Sequence, residues 1–472
     1  MNYKSILFFL GIYSFFVSLF SFLNILYSFY FFTSDLSSYV ITLLISLFFG
    51  FLFTFIGYRD SKNISFNEQI AFIIVSYFYL PLLISIPYLS NISEINLLNS
   101  YFESVSGFTT TGFSVINNIE SYDETFLLWR SSSQWLGGLF FLVAIIGTFG
   151  SHQAKIKPAH LVYGSTMGRN FYSNFNYNFI KILLIYFVST IFIIILYTLA
   201  EIRLLDSFNL AFTVVSSGGF ISSNNLFNIA RNDLQILIVS LTLLFPIFNF
   251  YLLFNIFTKN FTPRKHYEDI HLVIGIVALT VFFYFFIIPD ESLSSIFLSI
   301  VSSISTSGIS TYSSNLDVSL FFILLTIVGG SLISTSSGFK YIRFYILLKI
   351  SYQEIYRLVK PINIVDKNLF NADSKIDDQD FKIAFLVFIS LVISIFILSS
   401  ILALDNLTFE NSFKLSILTL TNTTTSSLYG LDNLSFFDLN SFTKISLIIF
   451  MILGKIEIIA ILYLLKRFIF KD

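Results

Sequence analysis

The sequence contains no cysteine, which excludes disulfides, thiolate metal sites and cysteine nucleophiles. Charge is scarce as well: Asp, Glu, Lys and Arg supply 12% of the 472 residues, too few to cover a water-facing surface. The two signs nearly cancel, at a net charge of -1, so the concentrated basic face needed for nucleic acid is missing. No glycine-rich nucleotide motif and no catalytic triad is visible. Neither enzymatic activity nor a resident cofactor is expected. What fills the chain instead is apolar: hydrophobic residues make up 55% of it and the mean hydropathy is +0.80. An all-α integral membrane protein is expected.

A helix crosses the hydrocarbon in about 20 apolar residues, and runs of that order recur at 5–34, 36–58, 69–93, 131–151, 182–200, 234–258, 270–289, 318–339, 383–404 and 437–465. The first is uncharged and longer than a signal-peptide core, so it reads as a membrane helix rather than a removed leader. Positive charge falls in alternate connections: Lys4; Arg59 and Lys62; Lys155, Lys157 and Arg169; Lys259, Arg264 and Lys265; Arg357, Lys360, Lys367 and Lys375; Lys466, Arg467 and Lys471. Those connections and both termini are expected in the cytoplasm. The opposite connections carry acids, among them Asp206, Asp290, Glu291, Asp405 and Glu410.

On that acidic side lie four hydroxyl-rich loops, SGFTTTGFS (106–114), SSGGFIS (216–222), STSGIST (305–311) and TNTTTSS (421–427). Each follows a short helical stretch, at 96–105, 207–215, 292–304 and 409–420, and each lies between two membrane-length runs. The repeat predicts a leading helix pair (1–66) and four helix–pore loop–helix units (67–170, 171–265, 266–375, 376–472) in pseudo-fourfold array. Such half-helices aim the negative ends of their dipoles at the membrane centre. A ring of backbone carbonyls there can replace the water around a monovalent cation. The first three loops carry glycine, which opens backbone angles closed to other residues. The fourth has Thr424 instead, and reduced selectivity is expected from it.

Two further segments carry chemistry. Residues 329–338 interrupt a run with glycine and hydroxyl residues, and Lys455 and Glu457 place charge inside the last run, where charge is by default functional. Two positions apart, Lys455 and Glu457 face different directions, and Glu457 reads as structural. Arg130, beside Trp129, reads as a membrane-interface anchor. Asp377, Asp378 and Asp380 read as a solvated turn, and His266 and His271 are poorly spaced to share a metal.

SGFTTTG (106–112), WRSSSQWLGG (129–138), SSGGF (216–220) and GGSLISTSSGFKYIR (329–343) together resemble the Trk/Ktr/HKT superfamily, and the leading helix pair favours its TrkH branch. The resemblance implies potassium uptake across the cytoplasmic (inner) membrane. It implies ion coordination by Thr110, Thr111, Gly112, Ser217, Gly218, Ser307, Gly308, Asn422, Thr423 and Thr424. It also implies an intramembrane gating loop with Gly329, Gly330, Ser334, Thr335 and Gly338, and a pore-facing charge at Lys455, where the family usually has Arg. Leu332, Ile333 and Ser337 stand where the family usually has small residues or glycine. The implied assembly is a homodimer regulated by a cytosolic TrkA-type nucleotide-binding partner. Reduced Na⁺/K⁺ discrimination and a non-conducting regulatory role are the alternatives that the altered fourth loop raises.

Overall fold

The computed structural model of the chain describes residues 3–31, 33, 36–60, 66–91, 96–149, 175–257, 266–311, 317–359, 378–405, 407–431 and 434–456. Among them every regular element is helical. Six helices among the described residues are long and apolar enough to cross a membrane, and the chain is a multi-pass membrane protein. Glu457, Asp377 and most of the basic connections, including Lys155, Lys157, Lys259 and Lys367, lie outside the described residues.

The leading pair, Tyr3–Phe31 and Leu36–Gly57, shows how packing works when the solvent is lipid. Its buried positions are largely small or polar, Ser14, Ser21, Thr42, Ser46, Gly50 and Gly57 among them, while Phe29 and Phe55 are exposed. Lipid is as apolar as Leu or Phe, so association depends on close backbone approach and hydrogen bonds. Ser21 Oγ accordingly donates to the Tyr39 carbonyl across the pair at 2.6 Å.

Four short helices follow the predicted pattern: Leu97–Phe108, Leu204–Ser216, Leu293–Ile304 and Phe409–Leu420. At 12 or 13 residues each reaches only about two thirds of the way across the hydrocarbon. Asn96, Ser292 and Thr408 cap three of them by accepting from the amides of Asn99, Ser295 and Asn411. Several of their buried hydroxyls are satisfied within the helix, as where Ser303 donates to the Ser299 carbonyl and Thr419 to that of Leu415.

The units close into a ring. Helix Glu124–Phe149 of the first unit packs on the second pore helix, Asp233–Thr242 on the third, Ser319–Val328 on the fourth, and Ser441–Ile456 of the last unit returns to the first. This cyclic contact is what places four loops around one axis.

Two expected crossings open into irregular segments several residues long. The run at 234–258 breaks after Thr242 and resumes at Phe250–Phe257, with Pro246 in the gap. The run at 318–339 breaks at Gly329 and resumes at Tyr341–Val359. The two breaks bond to each other: Ser331 N donates to Ile247 O at 2.9 Å, Ser336 N to Pro246 O at 3.1 Å, and Phe250 N to Ile333 O at 2.7 Å. Irregular backbone survives at this depth because it is buried in protein.

Candidate functional site: four pore loops over an intramembrane loop

Each pore helix ends in the same way. The amides of Thr110, Ser217, Thr306 and Asn422 donate three residues back, at 2.9–3.3 Å, and those of Thr111, Gly218, Ser307 and Thr423 five residues back, at 2.8–3.1 Å. Thr110, Ser217, Thr306 and Asn422 all take positive φ, of 56°, 58°, 61° and 49°. Four non-glycine residues in that uncommon region at matched positions mark a geometry imposed by the surrounding structure.

This pattern fixes the register between units. Gly112, Gly219 and Gly308, with φ of 85°, 86° and 70°, are equivalent, so the second unit is shifted by one from the sequence expectation. Gly219 matches Gly112, and Gly218 matches Thr111. Gly218 is glycine for another reason, since a Cβ there would lie 2.2 Å from Gln134 Oε1. The two adjacent glycines of SSGGF made the register ambiguous in one dimension, and only the hydrogen-bond pattern separates them. Thr306 likewise joins the third loop one residue before Ser307.

The fourth corner differs in side chain as well as backbone. Thr424 does not take positive φ. Its Oγ1 donates to the Gly112 carbonyl at 2.8 Å. Its methyl carbon lies 2.8 Å from where a Cβ on Gly219 would be and 2.7 Å from the matching point at Gly308. The space that three glycines leave open is thus filled by the one threonine. Beside it, Asn422 Nδ2 donates to Thr111 Oγ1 at 2.9 Å and to the Met451 carbonyl at 2.8 Å.

The segment between helices Ser319–Val328 and Tyr341–Val359 lies against the inner ends of these loops. It leaves at Gly329 (φ 65°) and returns at Gly338 (φ 85°), where the two strands pass so closely that a Cβ on Gly329 would sit 2.5 Å from the Ser337 carbonyl. Ser217 Oγ donates to Thr335 O at 3.0 Å, Thr335 Oγ1 to Val215 O at 3.0 Å, and Ser337 N to Thr306 Oγ1 at 2.9 Å. Lys455 completes the connection: its Nζ donates to Thr110 Oγ1 at 2.6 Å, Ser337 Oγ at 3.0 Å and Thr335 O at 3.3 Å. The ammonium also lies 4.3 Å from the centre of the Phe141 ring. Lys340 grips the same segment, donating to Ser334 Oγ at 3.1 Å and to the Ser336 carbonyl. Gly330 N donates to Ser336 Oγ at 3.2 Å, and Ser334 Oγ donates to Ser331 O at 2.7 Å.

Acidic side chains hold the other end. Asp269 Oδ1 accepts from Ser331 Oγ and from Asn249 N, and Glu268 Oε2 accepts from Leu332 N at 3.4 Å. His266 Nδ1 lies 3.5 Å from Asp269 Oδ2, and His271 Nδ1 meets Tyr341 OH at 3.3 Å, so the two histidines serve different neighbours.

Arg130 is corrected from its expected role. It is 1% exposed and pairs with the equally buried Glu103 of the first pore helix at 2.9 Å. Losing one partner of such a pair costs about 3–5 kcal/mol, because the other charge is left buried alone. Trp129 beside it donates Nε1–H to the Ile84 carbonyl at 3.1 Å. Glu103, Gln134, Asp269 and Lys340 escaped the sequence reading. An acid or amide within an apolar stretch was the available signal for the first two.

No protein-family model matches the chain. It is similar to an uncharacterized cation transporter of Methanocaldococcus jannaschii, 28% identical over 462 residues, covering 91% of this chain and 89% of that one. It is 27% identical over 398 residues to the Trk system potassium uptake protein TrkG of Escherichia coli, covering 80% and 81%. The crystal structure of the potassium transporter TrkH from Vibrio parahaemolyticus superposes with a TM-score of 0.85 at 22% identity, over 98% of this chain and 99% of that one. The fold is therefore shared along almost the whole length.

Proposed function

We propose that this chain, a TrkH-type subunit of the Trk system by sequence and fold, takes up potassium across the cytoplasmic membrane. Ions exchange their water for backbone oxygens in the ring at 110–112, 217–219, 306–308 and 422–424 and leave past an intramembrane gate at 329–338. The observation that carries this is the hydrogen-bonded contact of that segment with the floor of the ring, through Ser217, Thr306 and Lys455. The names of the relatives, a cation transporter and a potassium uptake protein, support the choice of ion. On this reading Lys455 adds its basic side chain to a segment that lies across the path, tying it to Thr110 of the ring. Conduction requires both to move.

The alternate basic connections orient the chain with both termini in the cytoplasm. The same face would receive a cytosolic TrkA-type regulatory partner, and two copies of the chain would form the working unit. A transporter-deficient host expressing the protein should accumulate radioactive rubidium or potassium. Surface-expressed protein without flux above a vector control overturns the reading and leaves the non-conducting regulatory role.

Thr424 favours a less selective variant of the same function. Its hydroxyl donates to the Gly112 carbonyl and its methyl group lies against Gly219 and Gly308. A ring with one corner so altered discriminates less sharply between Na⁺ and K⁺. Sodium competition for rubidium uptake measures this directly.

A further inference from the structure

We propose that Glu103, Arg130 and Gln134 form a polar brace behind the first two pore loops and are positioning residues for ion selectivity, a role that rests on the ion conduction proposed above. Arg130 and Gln134 are four residues apart on helix Glu124–Phe149, so they lie on one face of it. Glu103 lies on the first pore helix.

Glu103 ties down the chain just beyond Gly112. Its Oε2 accepts from Val115 N at 2.9 Å, and its Oε1 accepts from Ser114 Oγ at 3.0 Å and from Arg130 Nε and Nη2 at 3.1 and 2.9 Å. Arg130 Nη2 also donates to Ser114 Oγ at 3.1 Å. The guanidinium then reaches the second unit, lying 4.0 Å from the centre of the Phe220 ring, next to Gly219.

Gln134 holds both flanks of Gly219. Its Nε2 donates to Gly218 O at 2.8 Å, while its Oε1 accepts from Phe220 N and from Thr213 Oγ1, each at 3.1 Å. One side-chain amide thereby supplies the donor and the acceptor that a neighbouring strand would offer an extended segment. Arg130 and Gln134 are 1% and 0% exposed, so these bonds do not compete with water.

Fixed partners matter on the snug-fit account of selectivity, in which a carbonyl ring prefers the larger ion while its oxygens cannot close around the smaller one. Glu103 compensates the charge of Arg130, so the brace stiffens the loops without adding a net positive charge behind them. The third loop is backed differently, by a hydroxyl pair, Ser295 and Thr311, at 3.1 Å. The brace joins the first two quadrants, since its bonds run to residues 114–115 and 213–220.

The test uses the purified full chain in phosphatidylethanolamine–phosphatidylglycerol vesicles, with rubidium uptake competed by K⁺ or by Na⁺. Gln134→Met, which keeps volume but removes the amide, should lower the preference for K⁺ over Na⁺ about tenfold, the equivalent of one ordinary hydrogen bond. Ser114→Ala should lower it in the same direction by less. Loss of uptake in equal proportion for both ions, with the preference unchanged, would reduce the brace to a structural role and overturn the proposal. If Gln134→Met is not recovered folded, the half-buried Ser114→Ala decides alone, and an unchanged preference overturns the proposal. A wild-type chain with no rubidium flux fails the conduction reading itself, an outcome distinct from a selective wild type with equally selective variants.

Discussion

At the scale of single residues, the pore loops depend on side chains that are absent. Gly112, Gly219 and Gly308 combine positive φ with neighbours closer than a Cβ tolerates, while Thr424 fills the space they leave. Thr424→Gly should therefore raise the preference for K⁺ over Na⁺ several-fold, read as a drop in sodium competition for rubidium uptake. An unchanged ratio would remove Thr424 from the selectivity determinants. Lys455 acts in the opposite sense. It joins Thr110 to Thr335 and Ser337, so Lys455→Met should loosen the proposed gate segment at 329–338 and raise basal flux, measured in vesicles without any partner protein. A titration belongs to this scale too. Glu120, in the acid-bearing connection of the first unit, is held below the ordinary carboxylate range by bonds from Ser223, Asn228 and the Asn224 amide. The lowered pKa makes this link favourable above the ordinary carboxylate pKa, and the contribution disappears as pH falls through the lowered value. Melting curves of wild type and Glu120→Gln should accordingly converge on acidification.

At the scale of elements, the two broken helices are more informative than the intact ones. Pro246 removes a donor in one and Gly329 opens a turn in the other, and each break satisfies the backbone of its partner. Neither break is separately stable at that depth. Asp269 anchors this joint from the start of helix Tyr267–Phe282 by accepting from Ser331 and Asn249. Asp269→Asn keeps the size but weakens a charge-assisted bond that is roughly twice as strong as a neutral one. Faster hydrogen exchange confined to the segment around Ser331, together with raised flux, is the expected outcome. Protection unchanged there would show that the backbone bonds to Ile247 and Pro246 hold the segment without the acid. The break at 329–338 was legible in the sequence from its glycines and hydroxyls. The break at 243–249 carried only Pro246 as a local signal, within an otherwise apolar run, and the segment it bonds to is remote in sequence.

At the scale of the whole molecule, the cyclic packing of each unit on the next pore helix turns a linear repeat into a closed ring. The lack of cysteine makes its orientation testable without a background. A single cysteine placed at Asp290 should react with a membrane-impermeant maleimide from outside intact cells, and one placed at Arg59 should react only after lysis. The reverse pattern would invert the proposed topology and with it the direction of the pore.

The chain read alone was enough for the membrane class, the four pore helices to within a few residues and the position of the helix break at 329–338. These follow from apolar length, hydroxyl composition and glycine, which are local properties. The tertiary structure alone decided the register at Gly219, the burial of Arg130 against Glu103, the three bonds of Gln134 and the contact of Thr424 with the three other quadrants. Gln134 with Gly218 and Gly112 with Thr424 are meetings of residues from different units, and Arg130 with Glu103 is a meeting of two helices remote in sequence within one unit. Hydrogen-bond geometry and steric closeness across a ring have no period along the chain, so they exist only once the ring has closed.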